Sequence, residues 1–279
     1  MTFYRSSCDP IAARRLILMA SLFRLKCFGT GDGWPCADRH HSSYYYQLGE
    51  VRLLFDCGDS LSRSFKAGGY DVDGPDAIFI SHFHGDHIGG FFMFVQGLWL
   101  EKRQKDLPIL MPIDGIEPVQ NLLQKGCLFS ELMDFKLSFL ELNPSRKPTF
   151  GPVQVTPFQN SHLDNLRARF QHLYPQQFES YSFLMETNDL RVVHSADLGA
   201  PEDLDPMLQD PLDLLVCELS HFTPESLFRY LQGRMIKRLV LMHVGRPYWE
   251  KLSETRQLAE EMLPSMEITF AQDGDEIAF

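Results

Sequence analysis

The sequence lacks several features that would place it in a specialised class of protein. It has no Cys-x-x-Cys pair, no low-complexity linker, no short-period repeat and no apolar run long enough to cross a membrane. Its six cysteines are scattered along 279 residues, a pattern that favours reduced thiols over a disulfide framework. We therefore expect a cytoplasmic protein that does not associate with membranes.

Positive charge is also scarce. The chain has 26 Lys and Arg against 37 Asp and Glu, a formal net charge of −11. This balance argues against broad, nonspecific nucleic-acid binding, because such binding depends on neutralising phosphates with Lys and Arg. A local basic groove is compatible with this charge balance, so nucleic acid is kept as a possible substrate. The hydrophobic content of 44% is enough for a substantial core.

The domain organisation is predicted from the pattern of strands and helices. Residues 1–21 are predicted to be a peripheral N-terminal extension, with Met19 as a candidate true start. Residues 22–279 mix strand and helix patterns without a linker, which favours a single α/β domain with helices outside packed sheets. Residues 163–178 separate two predicted strands and are interpreted as an insertion near the active site.

The most informative stretch is His-Phe-His-Gly-Asp-His at residues 82–87, directly after the apolar run at residues 77–80. That run is typical of a buried strand. If the chain stays extended, the first two histidines point the same way, because side chains alternate along a strand. Gly85 then permits a turn that brings the carboxylate and the third histidine to the same cavity. Burying these groups together is costly without a cation, so the stretch predicts half of a two-metal site.

Three later residues are predicted to complete this site. His162, Asp197 and His243 each stand where a predicted strand gives way to a loop. Taken in order, residues 81–90, 160–162, 195–199 and 242–243 resemble the metallo-β-lactamase superfamily, over roughly residues 22–279. The resemblance implies an α/β fold, an αβ/βα four-layer metallo-β-lactamase sandwich of two mixed sheets flanked by helices, with metals at one edge.

The resemblance also implies a ligand set for two divalent metal ions. His82, His84 and His162 would hold one metal, Asp86, His87 and His243 would hold the second, and Asp197 would bridge them. Imidazole and carboxylate ligands without cysteine suit Zn²⁺ and leave Mn²⁺ and Fe²⁺ open.

Within the superfamily, residues 28–39, 54–58 and 78–82 look most like the ribonuclease Z-like phosphodiesterase branch. Glu218 lies where that branch has a Glu-Ala-Thr-Phe segment. The sequence departs from the branch in two ways: it has no Gly/Pro-rich arm that grips tRNA and no His-Ser-Thr segment carrying the proton-donating histidine. His221, paired with Glu218, is a candidate replacement donor; a structural histidine is the alternative.

Together these features predict a dinuclear metal-dependent hydrolase that uses a metal-bound hydroxide, with Asp86 orienting the nucleophile. A phosphodiester is the expected substrate, as a small molecule or a short nucleotide. A lactone, thioester or β-lactam-type amide is the alternative within the superfamily. A non-hydrolytic oxygenase or metal-binding protein is a further alternative.

Substrate selection is expected in the insertion and in the first glycine-rich loop, residues 29–35. Arg167 and Arg169 are candidates to meet a phosphate, and Trp34 is a candidate for the pocket wall. An exposed amphipathic helix with no such role is the alternative for the insertion. Its aromatic side chains are compatible with a homodimer.

Overall fold

The computed structural model of the protein describes residues 23–279. The predicted extension at residues 1–21, with Met19 and Cys8, lies outside the described residues. The other five cysteines are free thiols, as the sequence predicts. Between residues 23 and 279, no helix has the length and apolar character needed to cross a membrane.

The strands of the first sheet are β1 (Phe23–Gly29), β2 (Ser43–Leu48), β3 (Val51–Phe55), β4 (Ala77–Phe79), β5 (Leu107–Met111), β6 (Leu137–Glu141) and β14 (Glu276–Ala278). Those of the second sheet are β7 (Thr149–Phe150), β8 (Val153–Gln159), β9 (Tyr181–Glu186), β10 (Arg191–His194), β11 (Leu212–Leu219), β12 (Ile236–Val244) and β13 (Glu267–Phe270).

The helices are α1 (Leu61–Ala67), α2 (Gly85–Ile88), α3 (Phe91–Leu100), α4 (Ile113–Lys125), α5 (Asp164–Phe170), α6 (Pro224–Leu231), α7 (Arg246–Trp249) and α8 (Leu252–Met262), with 3₁₀ turns at Ser130–Leu132 and Pro201–Met207.

Both sheets are mixed and have seven strands. The first runs in the order β14-β1-β2-β3-β4-β5-β6, antiparallel from β14 to β3 and parallel from β3 to β6. The second runs β13-β12-β11-β10-β9-β8-β7, parallel from β13 to β10 and antiparallel beyond. In each sheet the parallel strands therefore direct their carboxyl ends to one edge, where ligand sites form in open α/β sheets.

Three hydrophobic cores hold the layers together. The central core lies between the two sheets and includes a tight aromatic cluster in which Phe55 stacks on Phe79 at 4.9 Å and meets Phe183 at 5.0 Å between ring centroids. A second core packs α1, α3 and α4 on the first sheet, and a third packs α6 and α8 on the second. Helices thus cover the outer face of each sheet, which confirms the predicted αβ/βα sandwich.

The apolar pattern of residues 88–103 predicts a single helix, and the structure corrects this prediction. This stretch is divided between α2 and α3, because the backbone N–H of Gly90 donates to the carbonyl of Cys57 at 2.8 Å rather than continuing α2. A Cβ at Gly90 would lie 2.1 Å from the carbonyl oxygen of Gly58. The glycine therefore permits a close approach of two backbones beneath the histidine-rich turn.

The sequence pattern of residues 249–263 also predicts a single helix, and this stretch is likewise divided in two. The structure has α7 and α8 instead, and Lys251 lies between them at φ −116° and ψ 38°, outside the helical region. Thr255 donates its hydroxyl to the carbonyl of Tyr248 at 3.2 Å and so joins the two helices across this break.

We predict that Gly90→Ala lowers the free energy of unfolding by about 1–3 kcal/mol, because the added methyl group overpacks against a backbone carbonyl that has little room to move. Gly97→Ala is the matched control within α3, since a Cβ there has no atom within 4 Å. That change should stabilise the protein by up to about 1 kcal/mol through helix propensity. Urea unfolding of both variants checks the pair, and equal stabilities would contradict it.

Candidate metal centre

Four strand ends bring the predicted ligands together at one edge of the sandwich. Residues 82–87 follow β4, His162 follows β8, Asp197 follows β10, and His243 is the second-last residue of β12. They form two adjoining groups of side chains whose ligand atoms lie within 4.8 Å of one another. The first donor set is His82, His84, His162 and Asp197; the second donor set is Asp86, His87, Asp197 and His243.

In the first donor set, three imidazole nitrogens face one another. His84 Nδ1 lies 3.0 Å from His82 Nε2 and 3.2 Å from His162 Nε2. Asp197 Oδ2 completes the set at 3.9 Å from His82 and 3.7 Å from His162. Tetrahedral ligands at about 2.0–2.1 Å from Zn²⁺ lie about 3.3–3.4 Å apart, so this spacing is close to that of a metal shell.

In the second donor set, two carboxylates alternate with two imidazoles. Asp197 Oδ1 lies 3.2 Å from His87 Nε2 and 3.6 Å from His243 Nδ1. Asp86 Oδ2 lies 3.4 Å from His87 Nε2 and 3.1 Å from His243 Nε2. Asp197 uses a different oxygen for each set and therefore stands between them.

The polar atoms of the second donor set fit a divalent cation. His87 Nε2, Asp197 Oδ1 and His243 Nδ1 are all buried and have no hydrogen-bond partner of normal geometry. Buried polar atoms without partners are rare and costly, and these three converge on the same space. Nitrogen and carboxylate donors are those that Zn²⁺ and its first-row neighbours prefer.

The environment sets the charge of each donor set. Burial lowers the pKa of His82, His84 and His162, in the last case to about 4, which leaves neutral imidazoles able to bind a metal. Burial also opposes charge on His87 and Asp197, but at each residue the neighbouring charges outweigh the effect of burial on the pKa. Asp197 and Asp56 raise the pKa of His87, while His243 and His87 hold the pKa of Asp197 well below its usual value.

Asp56 supports this centre from behind, a role that the sequence analysis missed. Its Oδ2 lies 2.7 Å from His87 Nδ1 and accepts the Ser81 hydroxyl at 3.0 Å, while its Oδ1 accepts the Ser81 backbone N–H at 2.8 Å. Ser81 Oγ in turn lies 3.0 Å from His82 Nδ1. One buried carboxylate thus orients a histidine in each donor set, as outer-shell partners do at metal sites.

The backbone around the centre differs from the prediction at Gly85 and has unusual φ angles at two other residues. Gly85 has no positive φ and a Cβ there would meet no atom, so the turn into α2 does not depend on its being glycine. By contrast, Ala196 and His243 have φ of 48° and 47°. These rarely populated conformations lie beside or within the donor sets, where the chain turns sharply out of β10 and β12.

Glu218 and His221 lie at the rim of the centre as a pair. Glu218 is fully buried and its Oε1 lies 2.9 Å from His221 Nδ1. Burial opposes charge on His221, but the bond to Glu218 dominates and raises its pKa to about 9. The other ring nitrogen, Nε2, lies 3.9 Å from Asp197 Oδ2 and therefore points towards the donor sets.

The remaining predicted residues lie outside the donor sets. Trp34 is 63% exposed, with the guanidinium of Arg246 over its ring at 4.8 Å. Arg167 donates to the carbonyls of Gln177 and Phe178, both at 3.0 Å, so the structure gives it a role in holding its own segment. Arg169 lies over the ring of Phe170 at 5.0 Å. Phosphate contacts by these arginines stay predictions.

Sequence comparisons place these features in a known family. The family model described as Anti-Pycsar protein Apyc1 matches residues 23–259. The chain is 32% identical over 144 residues to a ribonuclease Z of Thermoplasma volcanium, a match covering 52% of this chain and 46% of that protein. It is 28% identical over 205 residues to the probable metallo-hydrolase YhfI of Bacillus subtilis, 72% of each chain. The chain thus spans about half the length of the ribonuclease Z relatives it matches.

Solved structures share the fold. The metallo-β-lactamase fold protein YhfI from Bacillus subtilis superposes with a TM-score of 0.70 at 21% identity, covering 91% of this chain and 98% of that chain. Human tRNase Z, short form, superposes with a TM-score of 0.68 at 18% identity over the same shares. At these identities the likeness establishes the metallo-β-lactamase fold.

We predict that Asp56→Asn weakens zinc binding by about 10–100-fold, the usual effect of losing an outer-shell carboxylate, because the amide leaves a single oxygen acceptor for the donors of Ser81 and His87. Zinc titration against a competing chelator measures the change. Asp59→Asn is the matched control, since Asp59 also pairs with a histidine, His41, which belongs to neither donor set. Equal zinc affinities for the two variants would contradict the assignment of Asp56.

Proposed function

We propose that this chain, which belongs to the family described as Anti-Pycsar protein Apyc1, is a metal-dependent hydrolase acting on a phosphodiester. The observation that carries the proposal is the convergence of seven His and Asp side chains into two donor sets that share Asp197. The names of the matched relatives, ribonuclease Z and probable metallo-hydrolase, support the reaction class and favour a phosphodiester over a lactone, thioester or amide.

Two divalent ions, most simply Zn²⁺, are the proposed cofactors, one held by each donor set with Asp197 between them. When bound, such ions lower the pKa of coordinated water towards about 7 and so supply hydroxide at neutral pH. Asp86 is then the residue proposed to orient the attacking oxygen and accept its proton. It suits this role because it is only 11% exposed and is fixed by His243 at 3.1 Å.

His221 is the proposed proton donor to the leaving oxygen. The bond from Nδ1 to Glu218 fixes the ring and leaves Nε2 directed to the donor sets. Glu218 is itself fixed, because its carboxylate accepts the backbone N–H groups of Leu198 and Ser220 at 3.0 and 2.6 Å. A buried, hydrogen-bonded carboxylate behind a histidine keeps the ring protonated and oriented, which suits it to general acid catalysis.

A small molecule or short nucleotide is the proposed substrate. The net charge of −11 opposes long nucleic-acid partners, whose binding depends on an excess of Lys and Arg. The homodimer proposed from the sequence stays a prediction, as does the cytoplasmic location.

We predict that the protein hydrolyses bis(4-nitrophenyl) phosphate only with bound metal, that chelation abolishes turnover, and that Zn²⁺ or Mn²⁺ restores it. His84→Ala and Asp197→Ala should each reduce kcat/KM by at least about 100-fold, because each removes a donor from the centre. His172→Ala, an exposed histidine outside both sets, is the control. Faster turnover of thioester or lactone substrates than of bis(4-nitrophenyl) phosphate would favour the alternative hydrolases. Metal-dependent turnover by both His84→Ala and Asp197→Ala would contradict the proposal.

We predict that the effect of His221→Ala depends on the leaving group. An alkoxide needs a proton to depart, so kcat for an alkyl ester should fall by about 10²–10⁴, the usual contribution of a general acid. The 4-nitrophenolate ion departs unaided, so kcat for that ester should change little. Glu218→Gln should show the same pattern more weakly, because it weakens the hold on the His221 ring. A uniform loss on both esters would assign the pair a structural role.

A further inference from the structure

A cavity of about 410 Å³ adjoins the metal centre on the side of His84. His84 belongs to both, since it lines the cavity and contributes Nδ1 to the first donor set. The walls come from α4, α5 and the segment at residues 176–179. A phosphodiester at the metal centre would therefore have this cavity within reach of one of its two substituents.

One wall of the cavity is formed by the ring of Phe83. It packs so closely on α4 that a Cβ at Gly115 would lie 1.6 Å from Phe83 Cζ. Only glycine allows this approach, so the ring is fixed against the helix backbone. A wall that does not move on binding avoids an ordering cost for the ligand.

Another wall, residues 176–179, has no regular secondary structure and is held by side chains. Arg167 donates to the carbonyls of Gln177 and Phe178, and the Asp114 carboxylate accepts the Gln177 backbone N–H. Phe178 has a φ of 54°, a conformation that non-glycine residues rarely adopt. The bonds from α4 and α5 thus maintain a strained wall in a fixed place.

The lining combines an apolar surface with negative charge. Phe83, Val119, Leu166 and Phe178 supply apolar area, and Asp114 and Glu179 supply carboxylates. None of the described residues that line the cavity is Lys or Arg. Such a lining favours a neutral aromatic or heteroaromatic group and disfavours a second anionic group.

We propose that this cavity binds the substituent of the phosphodiester that is not released, and that it selects a neutral aromatic or heteroaromatic group. The assignment to the retained substituent follows from His221, the proposed donor to the leaving oxygen, which does not line the cavity. This inference rests on the proposed hydrolysis of a phosphodiester at the adjoining centre.

Two esters with the same leaving group test the proposal: 4-nitrophenyl phenyl phosphate and 4-nitrophenyl methyl phosphate. With the metal-loaded protein, we expect kcat/KM to be at least about tenfold higher for the phenyl ester, because burying a ring contributes far more than burying a methyl group. Leu166→Trp, which fills the cavity, should lower this ratio at least about fivefold. Leu173→Trp is the matched control, since Leu173 is 63% exposed and lies outside the lining; the ratio should be kept.

The charge of the lining is tested with a para-carboxylate on the retained ring. We expect this ester to have a kcat/KM about tenfold lower than the unsubstituted phenyl ester, because Asp114 and Glu179 repel it. Asp114→Asn keeps an oxygen to accept the Gln177 N–H and removes one charge, so it should recover part of the loss. No difference between the charged and neutral rings would overturn the proposed charge selection.

Calorimetric binding of diphenyl phosphate and dimethyl phosphate to the zinc-loaded protein separates the two proposals. If both esters are hydrolysed and Leu166→Trp does not change the ratio of their kcat/KM values, the cavity assignment is overturned and the hydrolase proposal is kept. Absence of turnover overturns the proposed hydrolase activity. In that case the cavity assignment is still supported if diphenyl phosphate binds more tightly than dimethyl phosphate and Leu166→Trp weakens its binding. If Leu166→Trp fails to fold, Val119→Trp fills the cavity from α4 and replaces it in both measurements.

Discussion

The structure depends on one buried carboxylate surrounded by imidazoles. Asp197 is 1% exposed, and its two oxygens lie within 4 Å of five histidine side chains: His82, His87, His162, His221 and His243. Burial of so many polar groups in one place is unfavourable unless their lone pairs meet a cation. The fold therefore brings four separate strand ends to a point where a bound cation would satisfy the side chains.

The surrounding backbone keeps these strand ends in place. Arg39 is buried, donates to the carbonyls of Val244 and Thr30 at 3.0 and 2.7 Å, and lies over the ring of Trp249 at 4.0 Å. It thus ties the first glycine-rich loop to the end of β12, directly beside His243. The same loop places Gly33 against Asp86, where a Cβ would lie 3.4 Å from Oδ2. The loop and β12 together close the second donor set.

The fold and the residues of the donor sets could be predicted from the sequence for a specific physical reason. His, Asp and Glu are common metal ligands, and their position at the ends of predicted strands is visible without knowing which strands are neighbours. Asp56 was not recognised because a lone aspartate after a strand resembles any loop residue; only the pairing of β3 with β4 places it behind Ser81. The breaks at Gly90 and Lys251 likewise depend on distant partners or local backbone angles, which periodicity does not reveal.

The distribution of charge connects the centre to the neighbouring cavity. Two divalent cations beside Asp86, Asp197 and a hydroxide would leave a net charge of about +1 at the centre, which would attract a single phosphodiester anion. Asp114 and Glu179 place the opposite charge in the cavity. A substrate with one anionic phosphate and a neutral ring matches both regions, whereas a group with further phosphates meets repulsion in the cavity. An acidic protein can therefore bind an anion at one point and still discriminate against larger polyanions.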